Sequence, residues 1–202
     1  MSSACLLLAD SRILVTPQKA VRINQRLRNR FTKPVKAAYV GVANADDPAF
    51  YELARHSLDD LFSVPCETLH VKNSANLPEV DVVLLAGGNV SLGWQWLQQT
   101  EVLHWLQRCR AQPNSLFIGV SAGAIHLARG CDPEQTQPFI RPYLDWLPMI
   151  VAVHEEQQGW PTLALAKQQQ PAWPSLSIEF GAGVWFERQP DGHFQLEFCD
   201  GI

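Results

Sequence analysis

Residues 119–123, Gly-Val-Ser-Ala-Gly, place a serine among small neighbours directly after an apolar run. The run, residues 115–120, predicts a buried strand, and the residues after Ser121 predict a helix. A serine on such a turn has a strained backbone that exposes its Oγ. The N–H groups of the following helix lie where an oxyanion would develop. The pattern favours nucleophilic acyl-transfer chemistry at Ser121 over a tightly packed turn without a catalytic role.

A second glycine-rich turn, Ala-Gly-Gly-Asn, follows the predicted strand 80–87. Glycines at the carboxyl end of a parallel strand let backbone N–H groups approach a ligand closely. In α/β serine hydrolases the second oxyanion donor comes from such a loop. We therefore expect Gly87 or Gly88 to supply one N–H group and Ala122 the other. The alternatives are a phosphate-type loop and a plain turn.

A serine nucleophile needs a base within hydrogen-bond reach, and the chain has six histidines. His154 ends the predicted strand 147–154, the position at which a parallel sheet presents functional groups. The other five are predicted to be structural, exposed or turned away from the serine: His56, His70, His104, His126 and His193. His154 is the expected base.

An acid must orient that base. Glu179 interrupts the apolar segment 176–186, where a carboxylate is costly unless it is paired. An outward-facing position on a strand is the alternative explanation for Glu179. Asp132 is the second candidate for the acid.

Apolar runs and helical patterns alternate through the first two thirds of the chain, which indicates a parallel α/β sheet in three layers. The predicted strands are residues 4–9, 36–43, 67–71, 80–87, 115–120, 147–154, 176–180, 183–187 and 194–198, and the predicted helices are 48–62, 92–98 and 101–111. An Asp-Gly pair predicts a hairpin turn between the last two strands. The Gln-rich segment before residue 176 is interpreted as a surface loop. We expect one α/β domain over residues 1–202.

The composition excludes several classes of partner. The net charge is −4, and the only basic concentration, residues 21–36, is interpreted as a solvated helix face, so no nucleic-acid partner is expected. Apolar runs fall short of the ~20 residues that cross a bilayer. Five cysteines without paired spacing predict free thiols and a cytoplasmic location. No metal site and no cofactor are expected.

Taken together, "LLAGGN", "IGVSAGA", a strand ending in histidine and a glutamate after "SI" resemble the peptidase E and cyanophycinase group of serine peptidases, family S51. This group lies in the class I glutamine amidotransferase-like superfamily. The resemblance covers residues 36–187. It implies a flavodoxin-like three-layer α/β/α sandwich with a mostly parallel sheet. It also implies a Ser121, His154, Glu179 triad with an oxyanion hole formed by Gly88 and Ala122.

The resemblance also implies a small peptide substrate, since peptidase E cleaves after an N-terminal aspartate. That preference requires a cation, for which Arg129 is our candidate, and we expect Gly87 and Asn89 to contact the substrate as well. The chain departs from the family pattern in three places: Ala86 replaces the first of three glycines, Val90 replaces a threonine, and Glu155 follows the histidine where an aromatic residue is usual. The oligomeric state, including a homodimer, stays open.

Three other functions compete with a serine peptidase. A glutamine amidotransferase needs a cysteine at the turn, whereas this chain has serine there and Cys131 lies elsewhere. An α/β-hydrolase would use His193 as base, but little chain follows Ser121 for the remaining elements of that fold. A non-catalytic relative that binds a ligand or partner is the main alternative.

Overall fold

Seven strands form the central sheet of the protein. We describe a computed structural model that covers residues 3–16, 21–72, 76–189 and 191–199. In spatial order the strands are β11 (Phe194–Cys199), β10 (Gly183–Arg188), β1 (Ala4–Leu8), β5 (Leu116–Val120), β4 (Val82–Leu85), β2 (Val35–Val40) and β3 (Cys66–His70). Five neighbouring strands run parallel, namely β1, β5, β4, β2 and β3, and β10 and β11 are antiparallel to their neighbours. The carboxyl ends of the parallel strands therefore meet at one edge.

Helices cover both faces of this sheet. They are α1 (Arg12–Val15), α2 (Val21–Arg30), α3 (Pro48–Leu61), α4 (Val90–Gln99), α5 (Val102–Ala111) and α6 (Ala122–Leu127), with a 3-10 turn over Val42–Asn44. The core of one face includes side chains of α1, α2 and α3, and the core of the other face includes those of α4, α5 and α6. The predicted three-layer α/β/α sandwich with a mostly parallel sheet is confirmed.

Strand β1 shows why the sheet must be covered on both sides. Each of its five residues is no more than 6% exposed. Leu7 packs in one core, and Leu6 and Leu8 pack in the other. A strand with apolar side chains on both faces is stable only between two layers, which the continuous apolar run of the sequence already indicates.

A second, four-stranded sheet holds part of the C-terminal third. Its order is β7 (Arg141–Pro142), β6 (Arg129–Gly130), β8 (Ile150–Val153) and β9 (Ser175–Ile178). The sequence predicts β8 and β9 as strands, yet they do not join the main sheet. They run parallel to each other, with Val153 opposite Ile178. His154 and Glu179 are thus successors of paired residues on neighbouring strands.

The interpretation of the Gln-rich segment as a loop is wrong in part. Residues Pro161–Gln169 form a further helix, α7. Pro161 occupies its first turn, where a missing N–H costs nothing, and Thr162 and Ala166 are buried beneath it. The buried face of this helix is small, and the many glutamines nearby give the segment the composition of a loop. The predicted hairpin of β10 and β11 is confirmed.

The basic segment near the N-terminus forms α2, but it is more than a solvated face. Arg30 is only 8% exposed. Its Nη1 lies 2.7 Å from Glu187 Oε1 on β10, and its Nε donates to the carbonyl of Asn114. The most buried cation of this segment is therefore used to attach α2 to the sheet.

His126 of α6 is a buried histidine that the site does not use. It is 2% exposed, and its Nε2 lies 2.8 Å from the carbonyl oxygen of Val90, to which it donates in the neutral form. Burial lowers the pKa of His126 from 6.5 to about 4, although the Val90 carbonyl and Asp132 act in the opposite direction. Between those two pKa values, His126 is therefore protonated in the unfolded chain and unprotonated in the folded chain.

This arrangement predicts a loss of stability in mild acid. Between about pH 6.5 and pH 4, His126 should lower the free energy of unfolding by up to about 1.4 kcal/mol per pH unit as the pH falls. Urea unfolding at several pH values should show a smaller pH dependence for His126→Gln, which keeps a donor but does not titrate. The control His193→Gln, at an exposed turn, should behave like the wild type. Equal slopes for His126→Gln and the wild type would contradict the prediction.

Candidate active site

Ser121 lies on the turn between β5 and α6 with a strained backbone. Its φ is 49° and its ψ is −109°, in a region that side chains disfavour. The N–H of Ser121 donates to the carbonyl of Leu8 at 2.9 Å, and its own carbonyl accepts from Ala124. These bonds hold the residue in place from both sides, so that its Oγ points away from the sheet edge and into the open.

The glycines around Ser121 are required by contact distances. A Cβ on Gly123 would lie 2.1 Å from the carbonyl oxygen of Leu85 on β4, and one on Gly119 would lie 2.6 Å from the backbone of Gly123. A Cβ on Gly87 would meet Ser121 Cβ at 3.2 Å. The G-x-S-x-G pattern therefore lets α6 approach β4 and keeps the serine uncrowded.

His154 reaches Ser121 from the second sheet. Its Nε2 lies 2.8 Å from Ser121 Oγ, a hydrogen-bond distance. The N–H of His154 donates to the carbonyl of Ile178, and its φ is 45°, so the residue bends sharply out of the end of β8. The two residues that the sequence assigns as nucleophile and base are thus brought together from two different sheets.

The sequence predicts two backbone N–H groups as oxyanion donors. Those of Gly88 and Ala122 donate no hydrogen bond to any described residue. Gly88 has a φ of 130°, and a Cβ there would lie 2.1 Å from the carbonyl oxygen of Ala43, so only glycine fits. Gly88 and Ser121 both line the same two cavities.

The structure does not pair His154 with either candidate acid. In the part of the chain that the structure describes, neither Glu179 nor Asp132 hydrogen-bonds to the imidazole. Glu179 is exposed and stands beside His154 in strand register. Asp132 is buried, and its carboxylate accepts from the backbone N–H groups of Ser91 and Glu134. The Asp132 carboxylate therefore attaches its own loop to the first turn of α4.

Two predicted substrate contacts have other partners. Asn89 caps α4 by accepting from the N–H of Leu92, and it donates to Glu134 at 2.8 Å. Arg129 binds Asp145 through two hydrogen bonds and lies over the ring of Trp173. Neither Asn89 nor Arg129 lines the cavities at Ser121. The structure therefore does not bring Arg129 to the site as a substrate cation.

The Ser121 and His154 pair separates two cavities. One, of about 330 Å³, is mainly apolar and also contains Gly87 and Phe180 in its wall. The other, of about 320 Å³, is bordered by three carboxylates, those of Asp132, Glu134 and Glu155. A substrate bound across the pair would extend into both.

Positioning residues around the pair were not visible in the sequence. Asp10, after β1, accepts from the N–H of Gly181 at 2.6 Å and so anchors the segment that follows β9. Glu155 accepts from both the N–H and the hydroxyl of Thr162, which ties the residue after His154 to α7. The contact between Asp10 and Gly181 joins distant parts of the chain, so local spacing gives no signal for it, whereas Glu155 and Thr162 lie only seven residues apart.

Over residues 5–150 the sequence matches the family model for peptidase family S51. This stretch includes both glycine-rich turns and Ser121. The chain belongs to peptidase family S51. His154 and Glu179 lie beyond the matched residues, so the family match itself covers the nucleophile side of the site. No curated protein sequence matches the chain.

Two solved structures of proteins described as peptidases share the fold. A Listeria monocytogenes EGD-e protein described as peptidase E superposes with a TM-score of 0.66 at 16% identity, with 98% of each chain covered. A peptidase from an acI-B1 Actinobacterium gives a TM-score of 0.64 at 14% identity, covering all of this chain and 88% of its own. At this identity the likeness concerns the fold.

Two further features of the S51 chain bear on the kind of site. Among the described residues, no group of three or more His, Cys, Asp or Glu side chains is placed to hold a metal ion. None of the described helices has the length and apolar character to cross a membrane.

The strain at Ser121 can be measured. Glycine tolerates this conformation, whereas alanine does not, so Ser121→Gly should be more stable than Ser121→Ala by about 1 kcal/mol in urea unfolding. At Ser63, an exposed serine outside the set of positive φ values, the order should reverse because glycine costs more chain entropy on folding. If alanine is the more stable replacement at Ser121 as well as at Ser63, Ser121 is unstrained.

Proposed function

We propose that this S51 protein is a serine-type peptidase that cleaves small peptides with Ser121 as nucleophile and His154 as base. The observation that carries this proposal is the 2.8 Å contact between Ser121 Oγ and His154 Nε2, made at a strained strand-to-helix turn. A hydroxyl held against an imidazole nitrogen is the arrangement that activates a serine.

The arrangement supports the following steps. Ser121 Oγ attacks the scissile carbonyl carbon while its proton moves to His154 Nε2. The oxyanion of the tetrahedral intermediate accepts from the N–H groups of Gly88 and Ala122. The C–N bond then breaks, and the imidazolium gives its proton to the departing amine. A water molecule releases the acyl group by the same route in reverse, with His154 again accepting the proton.

Glu179 is our candidate for the acid of the triad. For Nε2 to accept a proton, the neutral His154 must carry its hydrogen on Nδ1, and a carboxylate at Nδ1 stabilises the imidazolium that forms. The register of β8 and β9 puts Glu179 beside His154, and the carboxylate has no hydrogen-bond partner among the described residues. A side-chain rotation is the motion that would join the two.

The aspartyl preference that the resemblance implies finds no support in the cavity walls. Neither cavity at Ser121 has a lysine or arginine among its described lining residues. We therefore propose peptide hydrolysis without assigning it to N-terminal aspartate.

A non-catalytic relative that binds a ligand is the second candidate, and the missing contact between Glu179 and His154 is the observation that favours it. Cysteine chemistry is the weaker alternative. Cys131 is buried beside Thr162, and burial raises the pKa of its thiol, which opposes thiolate formation.

Labelling by a fluorophosphonate distinguishes the serine peptidase from a binding protein. The wild type should be labelled at Ser121, Ser121→Ala should not be labelled, and His154→Ala should react more slowly because the base is lost. The matched control is Ser91→Ala. Ser91 lies on α4 and its hydroxyl accepts a hydrogen bond from Gln135, so this variant should be labelled like the wild type. Equal labelling of the wild type and Ser121→Ala, detected by mass spectrometry, would exclude the proposal.

The orienting acid is tested with charge-removing variants. Glu179→Gln should lower kcat for p-nitrophenyl acetate by ~10²–10⁴-fold, because the glutamine amide cannot stabilise the imidazolium. KM should change little, since the acid does not touch the substrate. Asp132→Asn serves as the comparison. A loss confined to Asp132→Asn would assign the role to Asp132, and full activity of both variants would reduce the site to a Ser-His pair.

A further inference from the structure

The apolar cavity beside Ser121 is built from several separate parts of the chain. It lies at the carboxyl ends of the parallel strands, between the segment after β1 and helix α3. One side of it is formed by Ser121, His154, Gly87 and Gly88. At about 330 Å³ it falls within the ~300–1,000 Å³ of small-molecule pockets.

Large apolar side chains at the cavity remain exposed to solvent. Val15 on α1 is 40% exposed, Phe50 and Leu53 on α3 are 50% and 41% exposed, and Phe180 after β9 is 48% exposed. Four such side chains around one cavity form a patch rather than scattered exposure. Patches of this kind mark binding sites for apolar groups.

Among its described residues, the wall of this cavity has no lysine or arginine. Asp10 is the charged carboxylate among its described residues, and both of its oxygens accept from backbone N–H groups, those of Arg12 and Gly181. Tyr39 is neutral, because burial raises the pKa of its phenol, although the hydrogen bond that Asn44 donates to its oxygen acts in the opposite direction. An acidic side chain entering here would lose its water without gaining a cation.

An acidic substrate fares no better on the other side of Ser121. The second cavity is bordered by Asp132, Glu134 and Glu155, which would repel it. The described cation beside the apolar cavity is Arg12, whose guanidinium lies 4.0 Å above the ring centroid of Phe180. Arg12 is thus engaged with the ring of a wall residue.

We propose that the apolar cavity is the specificity pocket, and that the substrates are small peptides with a large hydrophobic side chain next to the scissile bond. Phe50, Leu53 and Phe180 then determine specificity by covering that side chain, and Ser121 acts on the adjacent carbonyl. This inference rests on the proposed serine-peptidase function and adds the substrate class to it.

Protection of Ser121 against a small fluorophosphonate tests the pocket without requiring cleavage. N-acetyl-phenylalaninamide should halve the labelling rate at an about tenfold lower concentration than N-acetyl-aspartamide. In Leu53→Arg this order should reverse, because the new cation lies in the wall and the apolar surface is reduced. Leu53 is exposed on α3, so the substitution leaves the core intact. Phe50→Ser, also at an exposed position, should weaken protection by the phenylalanine compound.

Controls separate this inference from the function beneath it. Phe198→Ser removes an equally exposed aromatic ring from β11, away from the cavity, and should behave like the wild type. Arg12→Ala should leave the preference for the phenylalanine compound unchanged. If Ser121 is labelled but the aspartate compound protects equally well, or Leu53→Arg changes nothing, the pocket assignment fails alone. If Ser121 is not labelled at all, the serine-peptidase proposal fails and the pocket assignment with it.

Discussion

The close approach of helix α6 to strand β4 is the constraint on which the site depends. At Gly123 there is no space for a side chain, because a Cβ would meet the carbonyl of Leu85. This contact fixes the start of α6 directly above the sheet, so the one residue between β5 and α6 must turn the chain abruptly. Ser121 accepts a φ of 49° for that reason, and its N–H bond to Leu8 keeps it there. The exposed hydroxyl is thus a consequence of backbone packing, stabilised by the core rather than by contacts of the serine side chain.

His154 must then reach Ser121 from outside the main sheet. The second sheet does this, since β6 begins two residues after α6 ends and its partner β8 points its carboxyl end at the serine. His154 leaves β8 with a positive φ, and the bonds of Glu155 to Thr162 hold the residue that follows. Ser121 and His154 therefore lie on separately supported elements.

Features encoded by short-range patterns could be predicted from the sequence. The strands and the two glycine turns follow from apolar runs and from steric need, and His154 was found because it ends a strand. Helix α7 was missed because only Thr162 and Ala166 of its nine residues are buried and because glutamines follow them. The partners of Arg129 and Asn89 could not be predicted, since Asp145 and Glu134 are distant in the chain. The sheet to which β8 belongs depends on tertiary packing, which alternation does not report.

Chemistry and selectivity rest on different kinds of residue in this fold. The nucleophile depends on Gly119, Gly123 and Gly88, where any side chain would displace backbone, so these positions tolerate nothing else. The cavity wall depends on Phe50 and Leu53, exposed side chains whose replacement disturbs little of the core. A chain can therefore keep the S51 fold and its serine turn while the side chains that line this cavity change. For this reason membership of the family supports peptidase chemistry here, whereas the substrate must be inferred from the wall that this chain itself provides.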